Sequence, residues 1–165
     1  MTMKTLITML FIATILIPIS AFAINAGDAA PGFSLKDVND NTVTLNTLKG
    51  MVVLITFWAT WCPSCREELQ DLNTLQGKYA GKGFTVISIC IESSDAKVAK
   101  YLKKYPVTFP ALVDKGGVVA DTFHFSVLPA SFIVGKDGII RHKYSGYDKK
   151  SFTLIEQKII EMLNK

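Results

Sequence analysis

Cysteine is scarce in this chain: 165 residues hold three, Cys62, Cys65 and Cys90. So small and odd a number excludes a scaffold stapled by structural disulfides. Histidine is scarcer still, with only His124 and His142. One Cys-x-x-Cys pair has no second pair to join it, so the four ligands of a structural zinc site are not at hand and no metal is expected. Basic blocks are also missing. The formal charge of +4 comes from scattered lysines, and Lys103-Lys104 and Lys149-Lys150 read as solvated helix faces. Nucleic-acid binding is therefore not expected. Beyond the first 23 residues there are no internal repeats and no low-complexity segment.

What is present starts with a different kind of sequence. Lys4 precedes an almost wholly apolar run over residues 6–17, Pro18 ends it, and Ala21-Phe22-Ala23 puts small residues where a signal peptidase reads them. This pattern is that of a secretory signal, with cleavage expected after Ala23 and one domain over residues 24–165. The alternative is an uncleaved anchor facing outside, and only then is membrane contact expected. The run is short for a span, which needs about 20 residues. No cysteine follows it, which speaks against a lipid-modified terminus. Loss of Lys4 leaves 17 − 14 = +3 charges. Export places the cysteines where a dithiol works as an oxidant unless a dedicated supply keeps it reduced.

The apolar fraction is 49%, ample for a core. Residues 33–35 and 43–45 read as short strands around the polar turn 37–41. The run 51–58 is apolar on both faces, as in the middle of a covered sheet. Residues 64–79 read as a helix with Leu69, Leu72 and Leu75 on one face, followed by a second buried strand over 84–91. Ser94 or Asp95 caps a helix that Pro106 stops. A short helix over 118–123, strands 130–134 and 139–144 joined by Gly135-Lys136-Asp137-Gly138, and a last helix over 151–163 complete the order. A central sheet with helices on both faces follows.

Trp61-Cys62-Pro63-Ser64-Cys65 stands directly after the first buried strand. With Cys65 one turn into a helix, the thiol of Cys62 lies at the helix N-terminus. There the unpaired N–H groups and the helix dipole stabilise a thiolate, the form that attacks disulfides. Cys65 is placed to resolve the mixed disulfide. Pro63 suits the first helical turn because its missing N–H is not needed.

The stretch from Phe57 to Glu68, with Pro31-Gly32-Phe33-Ser34-Leu35 before it and Leu128-Pro129-Ala130-Ser131-Phe132-Ile133-Val134 after it, resembles the TlpA/ResA-like exported disulfide oxidoreductases. The resemblance covers nearly all of the chain beyond the leader. It implies an α/β thioredoxin fold, a mixed sheet flanked by helices, with an N-terminal β-hairpin added. It also implies that Cys62 and Cys65 form a redox-active disulfide with no further cofactor. Glu68 would manage the protons of the pair, because Thr56 occupies the strand position where cytosolic-type thioredoxins bury an aspartate. Pro129 would be a cis-proline beside the cysteines, with Leu128 offering its backbone to an extended client. Trp61 and Pro63 would join that client surface.

Trp58 is expected in the core and Cys90 as a small buried apolar residue. Glu92 shares the site's sheet edge, and Arg66 either adds positive potential or is solvated. Gln70 replaces a proline that often kinks this helix in relatives, so a straighter helix is expected. The expected clients are protein disulfides, apocytochrome c among them, with a membrane disulfide reductase as electron donor and the protein a monomer. An oxidant of the same fold, a thiol peroxidase and a binding module are the alternatives. The peroxidase would need a proline ahead of the cysteine that Ala59-Thr60-Trp61 lacks.

Overall fold

The computed structural model describes residues 24–165, and the signal expected over residues 1–23 lies outside the described residues. Strands β1 (Ser34–Lys36) and β2 (Thr42–Thr44) pair antiparallel around the turn at 37–41. Asp37 accepts from the backbone N–H groups of Asn39 and Asn41 and closes that turn. A 3-10 turn, Leu45–Leu48, leads to β3 (Val52–Trp58), which is buried at all seven positions.

Helix α1 (Pro63–Tyr79) crosses to β4 (Phe84–Cys90), which lies parallel to β3 with Trp58 opposite Cys90. Helix α2 (Asp95–Lys104) is capped by Ser94, whose side chain accepts from the Lys97 N–H. Strand β5 (Ala111–Val113) then adds parallel to the outer edge of β4. After α3 (Val118–Phe123), β6 (Ala130–Val134) returns antiparallel to β3 and turns into β7 (Ile140–Ser145). Gly138, at φ 84°, supplies the left-handed turn residue. Helix α4 (Lys149–Leu163) closes the chain.

The sheet order is β5-β4-β3-β6-β7. Alternation along β3 divides the core. Val52, Leu54 and Trp58 pack with α1, α2 and α4, while Val53, Ile55 and Phe57 pack with α3 and the N-terminal segment. The expected fold is therefore met, with two differences. Strand β5 was not foreseen, because three residues between Pro110 and Asp114 are too short to show a period. Helix α4 begins at Lys149 rather than Ser151, because Asp148 is its cap and forms a reciprocal box with Ser151. Among the described residues no helix is long and apolar enough to cross a membrane.

Candidate active site

Seven strand residues at about 3.3 Å each carry β3 across the core, and the chain leaves the sheet at Ala59. The Cys62 N–H donates to the Ala59 carbonyl at 3.1 Å, which tightens the turn into α1. Cys62 is the N-cap and Pro63 occupies the first helical turn. The Cys62 Sγ accepts the backbone N–H of Cys65 at 3.2 Å, and the Ser64 Oγ lies 3.5 Å from it. Cys62 and Cys65 are joined as a disulfide, with Cα atoms 5.3 Å apart. Cys62 keeps 6% exposure and Cys65 none. The sulfur that meets solvent is thus the one at the positive end of the helix.

Three residues beyond Cys65, Glu68 points into the core on the buried face of α1. Only 1% of it is exposed. Its Oε2 accepts the Thr56 hydroxyl and its Oε1 accepts the Ser131 hydroxyl, both at 2.7 Å. Burial raises its pKa to about 7, against the pull of those two bonds. Its carboxyl therefore stands between its charged and neutral forms near neutrality. Ser131 was not singled out from the sequence. The available signal was a hydroxyl inside the otherwise apolar run 130–134, two residues past Pro129.

The end of β4 forms the other wall. Glu92 Oε1 accepts the Thr60 N–H at 3.0 Å and also the Thr60 hydroxyl, while Oε2 pairs with Lys97 at 2.7 Å. Burial works to raise the Glu92 pKa, but Lys97 and Thr60 outweigh it and hold the carboxyl below its usual range. Glu92 thus pins the loop that delivers Cys62. Cys90 is fully buried, and burial pushes its thiol up to about 12. Trp58 is in the core as expected, its ring 5.2 Å from that of Tyr101. Arg66 lies over the Tyr105 ring at 5.4 Å.

The Leu128–Pro129 bond is cis. Pairing of Phe57 with Ala130 puts that bond at the same end of the sheet as the cysteines, and Leu128 packs against the cluster that contains both. Trp61 stands out from the surface, 66% exposed. Cys62, Cys65, Glu68, Pro63, Trp61, Leu128 and Pro129 thus gather at one end of the domain.

A thiol-disulfide oxidoreductase, ResA, of Bacillus thuringiensis subsp. konkukian is 35% identical over 124 residues, covering 75% of this chain and 72% of that one. The AhpC/TSA family model matches residues 26–143. The chain belongs to the AhpC/TSA family, among its ResA-like thiol-disulfide oxidoreductases. The thioredoxin-like protein YneN of Bacillus subtilis is 36% identical over 139 residues, 82% of this chain and 79% of YneN. A candidate DsbE-type thiol:disulfide interchange protein of Chlorobium tepidum superposes with a TM-score of 0.82 at 29% identity. That match covers 85% of this chain and 99% of the other. The thioredoxin fold and the disulfide-exchange activity of this ResA-like enzyme follow from these matches.

Proposed function

We propose that this oxidoreductase works outside the cytoplasm as a reductant of protein disulfides. The observation that carries the reading is the Cys62–Cys65 disulfide at the N-terminus of α1, one turn ahead of the buried Glu68. In the reduced enzyme the Cys62 thiolate attacks one sulfur of a client disulfide. The other client sulfur leaves as a thiolate, and a mixed disulfide forms. Cys65 then gives its proton to the Glu68 carboxylate and attacks the Cys62 sulfur. The second client sulfur departs, the client keeps two electrons, and the enzyme is left with the disulfide described above.

Pro63, Trp61, Leu128 and Pro129 form the client surface. An extended segment pairs with the Leu128 backbone by strand addition, and Trp61 covers it. The leader pattern supports export, released or anchored. A membrane disulfide reductase then restores the dithiol, and apocytochrome c is the proposed client. A peroxidase reading is disfavoured further by Thr60, whose hydroxyl is engaged by Glu92.

Cys65→Ser should trap the client on Cys62 as a stable mixed disulfide that mass spectrometry identifies. Insulin reduction should be lost in Cys62→Ser. A reduction potential near that of thioredoxin, about −270 mV, supports the reductant, and one near −120 mV makes the enzyme an oxidant. Insulin turnover by Cys62→Ser would overturn the reading altogether.

A further inference from the structure

We infer that Thr56 and Ser131 are positioning residues whose two hydroxyls, one from each of two paired strands, hold the Glu68 carboxylate and keep it ready to take the Cys65 proton. The inference rests on the proposed role of Glu68 and names what prepares it.

A carboxylate buried to 1% exposure has no water to solvate it. Each of its oxygens instead receives one hydroxyl at 2.7 Å. Ionised, the carboxylate only accepts, and the hydroxyls donate, so the match is complete. Protonation adds an O–H that must turn to one of those hydroxyl oxygens, and that hydroxyl then loses its acceptor. The pair therefore favours the charged form, in opposition to burial.

Its geometry is set by the backbone. Thr56 and Ser131 are direct partners in the register of β3 and β6, so sheet pairing fixes the separation of the hydroxyls. Ser88, opposite Thr56 on β4, lies in the same row but is 3.4 Å from the Pro110 carbonyl, which its hydroxyl faces. No ion pair takes over the task. Burial and the two hydroxyl bonds are the influences that act on Glu68.

The titratable groups packed on this face of the sheet are Cys62, Cys65 and Tyr79 of α1, Cys90 of β4, Tyr101 of α2, and His142 and Tyr144 of β7. The first two are joined as a disulfide, and burial raises Tyr79, Cys90, Tyr101 and Tyr144 and lowers His142. All are therefore neutral at pH 7, whereas Glu92, just beyond β4 at the cysteine end of the sheet, stays charged and pairs with Lys97. Glu156 of α4 pairs with Lys78 and accepts from the Tyr79 hydroxyl. Lys158 and Glu161 of α4 pair with each other and act on His142 and Tyr144. The two hydroxyls also join two functional segments. Ser131 follows Pro129 by two residues, and Thr56 precedes Trp58, the last residue before the loop to Cys62, by two.

The test is a carbon-13 titration of the Glu68 carboxyl in the oxidised protein, where the active-site sulfurs do not titrate. Thr56→Val and Ser131→Ala should each move the midpoint up by about one pH unit or more. Thr56→Ser and Ser131→Thr, which keep the hydroxyl, should return it to the wild-type value. A purely structural role would lower stability without moving the midpoint. Midpoints that stay put, or fall, in both hydroxyl-free variants overturn the inference. A Glu68→Gln enzyme that exchanges disulfides at the wild-type rate instead removes the role of Glu68 and leaves the titration result standing.

Discussion

The first two turns of α1 and the end of β4 meet at one edge of the sheet, and each presents a cysteine and a glutamate. Their chemistry is opposite. Cys62 caps a helix and accepts a backbone N–H, whereas Cys90 is locked in a strand with its thiol pushed up to about 12. Glu68 is enclosed with two neutral hydroxyls and titrates near 7. Glu92 has a lysine and a backbone N–H, which keep it charged. Residue type alone therefore does not assign the chemistry here. On the proposed function, a helix start and an enclosed carboxylate make the exchange centre, and a strand end with an ion pair makes its support.

The largest effect expected to sharpen this contrast is on stability. Folding raises the Glu68 pKa from 4.5 to about 7, a difference of about 3 kcal/mol between the two protonation states. Between those values the folded protein binds the proton that the unfolded chain releases. The contribution is complete below the unfolded value and is lost as pH rises through the folded one. Urea unfolding of the oxidised protein should show wild type losing stability relative to Glu68→Gln over that range, by up to about 3 kcal/mol. Parallel pH curves would erase the difference claimed between the two glutamates.

A smaller effect belongs to the support. Glu92→Ala removes the acceptor for Thr60 and the partner of Lys97, and should cost about 1–2 kcal/mol. Because folding lowers its pKa, Glu92 contributes above the unfolded carboxylate value, and that contribution fades as pH falls through the folded one. Exchange should slow only a few-fold, with the pH midpoint set by Glu68 unchanged. A displaced midpoint in Glu92→Ala would make Glu92 part of the exchange centre.

Much of this contrast was legible in the sequence. The run 51–58, apolar but for Thr56, announced a strand covered on both faces, and Cys62 ahead of Pro63 announced a helix start. Glu68 was singled out through the family resemblance, with a threonine at position 56 in place of a strand aspartate. Strand β5 was hidden because three residues carry no period. Ser131 was hidden because its partner lies 63 positions away and only strand register brings them together. The role of Glu92 was half visible: the shared sheet edge placed it, but its hold on Thr60 depends on a loop conformation that local sequence does not specify.

The most direct measurement is the pH dependence of alkylation at each sulfur in the reduced Cys65→Ser protein, resolved by peptide mass spectrometry. Cys62 should react with a midpoint below the free-cysteine value of about 8.5, while Cys90 stays unmodified throughout as long as the fold is intact. A Cys62 midpoint at or above that of a free cysteine, or Cys90 reacting as readily as Cys62, would contradict the account.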